Sequence, residues 1–114
     1  MSTRSWLERI EDIADAIDEI GSFVAGLSRD QFCADLRTIS AFSYQFVIIG
    51  EAARHIPEEG QIQHPAVPWA KMRAMRNVIA HEYERVDCTI LWETAGSGLP
   101  SLFPLLRRLL EPDP

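Results

Sequence analysis

The stretch SWLERIEDIADAIDEIGSFVAGL, residues 5–27, decides the fold class. Trp6, Ile10, Ile13, Ile17, Ile20, Val24 and Leu27 recur at alternating steps of four and three, the period of one helix face. Glu8, Glu11, Asp12, Asp15, Asp18 and Glu19 occupy the positions between them and read as a solvated face. A half-buried strand would alternate with a period of two, and no segment of the chain does so. The helix also has a legible end. Gly26 suits its C-terminus, and Ser28 with Gln31 three residues later forms a capping-box pattern that starts a second helix.

The second helix is predicted from about Arg29 to His55. Phe32, Leu36, Ile39, Phe42, Phe46, Ile49, Ala53 and Ile56 repeat the apolar alternation. Its other positions are small or apolar (Ala41, Ser43, Val47, Ile48, Gly50 and Ala52), so burial on more than one side is expected, within a bundle or against a second copy. A mid-helix glycine costs about 1 kcal/mol relative to alanine. Gly50 therefore implies close approach of another helix.

PEEGQIQHPAVPW, residues 57–69, reads as a loop, with Pro68 at the first position of a third helix, Trp69 to Glu82. Trp69, Met72, Met75 and Ile79 are its inward positions; His55 and His64, in or beside the loop, receive no role. Asp87 is the expected N-cap of the last segment. AGSGLP, residues 95–100, interrupts that segment, which predicts two short helices over about 88–95 and 99–110. The expectation is one all-α domain over residues 1–114, an up-and-down four-helix bundle with a broken last arm.

Composition bounds the function. The chain is 46% hydrophobic and 25% charged, ordinary for a globular domain. No apolar run approaches the roughly 18 residues of a membrane span. Cys33 and Cys88 lie far apart without metal-ligand spacing, so they read as small half-buried side chains; no metal and no cofactor are expected. The default is a cytoplasmic protein with reduced thiols. A net charge of −6 argues against nucleic acid held along the whole surface. The charge is uneven, however. Residues 71–85 carry Lys71, Arg73, Arg76 and Arg85 against Glu82 and Glu84, so an anion is drawn there.

That segment contains RNVIAHEYERVD, residues 76–87. Asn77 and His81, four apart, share a helix face; Arg73 and Arg76 share a neighbouring one. Arg76 and His81 are five apart, about 140° around the axis, a divergence that a facing second copy could resolve. An imidazole can move a proton at neutral pH, and a guanidinium can hold phosphate oxygens in a fork. Together they suit metal-free attack of a ribose 2′-OH on its own phosphodiester. The same residue types also serve as ordinary solvated helix positions.

MRNVIAHEYERVD, with IIGEAARHIP upstream, HPAVPWAKMRAMRN before the third helix and LWE…LPSL near the end, resembles the HepT-like toxins of the HEPN superfamily and their R-x4-H-x-Y motif. The resemblance covers about residues 6–110. It implies a homodimeric, metal-independent endoribonuclease of a toxin–antitoxin module, with RNA as substrate. Arg76 and His81 would be the catalytic pair, and Asn77 the polar residue after the arginine; Arg73, on the face of Arg76, is read from that placement as a supporting residue. Tyr83 would be the tyrosine that a minimal nucleotidyltransferase antitoxin of the MntA type modifies with AMP. The chain departs from the family pattern at Glu84, where relatives often carry an aromatic or apolar residue. A second reading is a non-catalytic helical dimer that binds a nucleotidyltransferase or a nucleotide ligand.

Overall fold

The computed structural model describes the backbone of residues 3–82 and 88–111, and the side chains of residues 6–76 and 88–111. Every element among them is helical. In order these are α1 (Thr3–Val24), α2 (Arg29–Ala34), α3 (Leu36–Arg54), α4 (Glu58–Gln63), α5 (Trp69–Glu82), α6 (Cys88–Glu93), a π-helical turn (Thr94–Gly98) and α7 (Leu99–Leu110). The long elements make an all-α bundle: α1 packs on α3 and α7, and α3 packs on its other side against α5. The first-helix stripe is the centre of the core. Trp6, Ile10, Ile13, Ile17 and Ile20 are buried, together with Phe42, Phe46, Ile49, Met72, Leu99 and Leu106 from the other arms. Each such side chain contributes roughly 1.5–3 kcal/mol of burial. No helix among the described residues is long and apolar enough to cross a membrane.

The capping box at Ser28 and Gln31 forms in both directions, and Gly26 takes the left-handed conformation at φ 79° that ends α1. The single helix expected from Arg29 to His55 does not. It divides at Asp35, which ends α2 and caps α3 with φ −107° and ψ 94°. The Asp35 carboxylate accepts from the Thr38 backbone N–H and from the Thr38 hydroxyl, a local alternative to continuing the helix. The division turns Leu36, expected inward, out to 76% exposure. Phe32 stays in the core, edge-on to Phe42 and tilted against Trp92.

The expected loop holds a helix instead. Pro57 precedes α4, and Glu58 and Glu59 occupy its first turn, where the helix dipole favours acids. Gly60 is buried against Trp6, within 3.7 Å of the ring for an added Cβ. Pro68 lies one residue before α5, which spans the expected Trp69–Glu82. The Ile79 side chain and Asp87 lie outside the described residues. The last arm divides into two short helices as expected, α6 and α7, and the segment between them is a π turn rather than a gap. There the Thr94 and Ser97 hydroxyls donate to carbonyls four residues back, bonding that bends helices.

The cysteines are not reduced. Cys33 on α2 and Cys88 at the start of α6 form a disulfide across 55 residues. Sequence spacing carried no sign of it because the packing of α2 against α6 brings the two together.

Candidate active site on the fifth helix

The site helix is positioned by a glycine. A Cβ built on Gly50 would stand 2.7 Å from Arg76 Cβ and 2.8 Å from the Arg76 backbone nitrogen. No side chain larger than hydrogen fits between α3 and α5 there, so Gly50 is the close approach that its mid-helix position implied. Around it Ile49, Ala52 and Ala53 are buried, which fixes the rotation of α3. The residue after the glycine then faces the same arginine: Glu51 Oε1 lies 2.5 Å from Arg76 Nε. Arg54 Nη1 approaches the same oxygen from one turn along α3, at 3.8 Å.

Arg76 is 41% exposed at its side chain, half in the interhelical seam and half in solvent. Arg73 is anchored differently. Its Nη1 donates to Gln61 Oε1 at 2.7 Å, and Gln61 Nε2 donates in turn to the Ile56 carbonyl at 2.9 Å. Among the described residues no carboxylate stands within ion-pair distance of Arg73. Its partner is a neutral amide, so its positive charge remains available to an anion. Helix α4, absent from the sequence expectation, is what supplies that amide.

Asn77 and His81 both lie on α5, whose backbone is continuous to Glu82; their side chains lie outside the described part. Five residues of helix separate Arg76 from His81, about 7.5 Å along the axis and 140° around it. Tyr83, Glu84 and Arg85 lie outside the described residues. Glu51 and Gln61 were missed by sequence reasoning. The available signal for Glu51 was its place directly after a mid-helix glycine, as the one acidic residue of α3.

The fold and this helix define a class of protein. The family model for HepT-like proteins, described as Ribonuclease HepT-like, matches residues 13–109, and the chain belongs to that family. A protein of Thermococcus cleftensis named a probable ribonuclease HepT is 38% identical over 99 residues, 87% of this chain and 90% of its own. A candidate RNase of Caldanaerobacter subterraneus subsp. tengcongensis is 35% identical over 88 residues, 77% of this chain and 79% of its own. A third relative, a candidate RNase of Methanocaldococcus jannaschii, is 28% identical over 102 residues, covering 90% and 94%. No solved structure gives a significant match.

Proposed function

We propose that this protein is a metal-independent endoribonuclease, the toxin of a HepT/MntA-type toxin–antitoxin module. The observation that carries the reading is Arg76 held half-exposed at the α3–α5 seam, five residues before His81 on one continuous helix, in a chain of the HepT-like ribonuclease family. His81 takes the proton of a ribose 2′-OH. The 2′-oxygen attacks the adjacent phosphorus, and the bond to the 5′-oxygen of the next nucleotide breaks. That oxygen leaves with a proton from water while the imidazolium returns its own to water, giving a 2′,3′-cyclic phosphate and a 5′-hydroxyl. Arg76 stabilises the charge that gathers on the phosphoryl oxygens, and Asn77 orients the imidazole or the ribose. Arg73, fixed by Gln61, binds a flanking phosphate.

A homodimer completes the site in this reading. The 140° between Arg76 and His81 closes if a second copy of α5 faces the first, and two-fold pairing is the commonest arrangement. The exposed apolar surface of α3 supports pairing, with Leu36 at 76% and Tyr44 at 66% exposure. The antitoxin is a minimal nucleotidyltransferase that transfers AMP to Tyr83. AMP there adds bulk and negative charge where RNA phosphate must sit.

Cleavage of RNA by the purified protein and its His81→Ala variant tests the reading. The alanine variant is expected to lose roughly 10²–10⁴ in rate, the usual contribution of general acid–base catalysis, with its helical spectrum and melting temperature unchanged. Equal rates for the two proteins would remove His81 from the mechanism. Arg76→Lys is expected to keep binding and lose turnover, because lysine keeps the charge and loses the fork.

A further inference from the structure

We propose that Glu51 is a positioning residue for the reaction: its carboxylate holds Arg76 by Nε and so presents the other edge of the guanidinium, Nη1 with Nη2, to the scissile phosphate. The inference rests on the ribonuclease reading above and adds a residue that acts through Arg76.

Two neighbouring residues of α3 fix Arg76 at both ends. Gly50 sets its backbone, since the seam admits no Cβ within 2.7 Å of the Arg76 Cβ. Glu51 sets its head, with Oε1 2.5 Å from Nε. An arginine anchored at Cα and at Nε has lost most of its rotamer freedom before substrate arrives. The entropy of ordering that long side chain is then not charged to the transition state. A contact at Nε also leaves the terminal edge as the planar fork that matches two phosphate oxygens.

A purely structural ion pair is the competing account. It explains less here. Both partners are more than a third exposed, at 41% and 38%, and pairs that wet contribute little to stability. An acid beside a phosphate-binding arginine also weakens phosphate binding in the ground state, through Coulomb repulsion. A residue that opposes binding yet orients the arginine leaves a distinctive kinetic signature: its removal lowers kcat while KM stays level or falls. Loss of packing would instead lower the melting temperature and raise KM.

The test uses the full-length protein with Glu51→Ala, Glu51→Gln, Arg76→Ala and the Glu51→Ala/Arg76→Ala double variant, beside the parent and His81→Ala. Glu51→Ala is expected to lower kcat at least tenfold, with KM level or lower and the melting temperature unchanged. Glu51→Gln, which keeps an oxygen able to accept from Nε, falls between. In the Arg76→Ala background the same substitution is expected to change nothing further, because Glu51 acts only through the arginine. The Arg76 Nε–Hε proton, identified in NMR spectra by its loss in Arg76→Ala, is expected to exchange slowly in the parent and rapidly in Glu51→Ala. An unchanged or increased kcat in Glu51→Ala overturns the proposal. So does an equal loss in the Arg76→Ala background. A parent that does not cut RNA sinks the ribonuclease reading and the positioning role with it. The Nε–Hε exchange then still reports whether Glu51 holds Arg76, which separates a wrong function from a wrong geometry.

Discussion

Gly50 does at one residue what an engineered site needs a whole shell to do: it brings the backbone bearing Arg76 to within reach of a neighbouring carboxylate. Gly50→Ala adds a methyl group 2.7 Å from one carbon and 2.8 Å from a backbone nitrogen, so α5 must move. Helix propensity alone would favour alanine by about 1 kcal/mol. Overpacking of a tight contact costs about 1–3 kcal/mol and outweighs it, so a lower melting temperature and weaker RNA cleavage are expected. Gly21 on α1 is the internal control. Its Cβ would meet nothing within 4 Å, and Gly21→Ala should leave stability level or raise it by up to about 1 kcal/mol. Equal melting temperatures for parent and Gly50→Ala would show that the seam yields. Under the proposed toxin reading, Tyr83→Phe is expected to stay toxic and to escape AMP transfer. Intact mass after co-expression with the nucleotidyltransferase checks this: an AMP-sized increase that persists in the phenylalanine variant puts the modification elsewhere.

Among the elements, the junction of α2 and α3 depends on a charge. The hydrogen bond from the Thr38 hydroxyl, then that from its backbone N–H, holds the Asp35 carboxyl below its ordinary pKa, 3.8. The folded protein therefore binds this proton less readily than the unfolded chain. The resulting stabilisation is complete above the ordinary carboxylate value and is lost as pH falls through the lowered folded value. Asp35→Ala should lower the melting temperature at neutral pH, and the gap from the parent should narrow on acidification. A gap independent of pH down to about pH 3, below the ordinary carboxylate range, would mean that the charge contributes nothing. The expected single helix failed at this junction because the apolar period continues through it. Phe32, Phe42 and Phe46 keep the stripe, and only the local competition of an aspartate with the backbone breaks the helix. The start of the fifth helix, by contrast, was legible, since Pro68 immediately precedes it.

At the scale of the whole molecule, the disulfide closes a long loop that holds two of the four arms and the short helix between them. Cys33 and Cys88 enclose α3, α4 and α5, and with them the site. A link across 55 residues removes denatured-state freedom worth about 4 kcal/mol in the chain-entropy account. Reduction, or the Cys33→Ser/Cys88→Ser pair, should therefore shift the denaturant midpoint substantially downward while leaving the helical spectrum intact under native conditions. Coincident midpoints with and without reductant would mean that helix packing alone sets the stability.

The apolar period of α1, the cap at Ser28 and the start of α5 needed only local geometry, which is why residue spacing sufficed to read them. Side chains three and four apart meet on a helix whatever surrounds it. Three features needed distant parts of the chain. Glu51 meets Arg76 across 25 residues of sequence, Gln61 meets Arg73 from a helix hidden in a proline-rich stretch, and Cys33 finds Cys88 across 55. None of these pairs has a period or spacing to betray it. Each exists because α3 and α5 pack to backbone contact at Gly50, and because α2 turns away from α3 at Asp35 to lie on α6. Apolar periods and caps follow from neighbours along the chain; what holds Arg73 and Arg76 in place follows from neighbours in space.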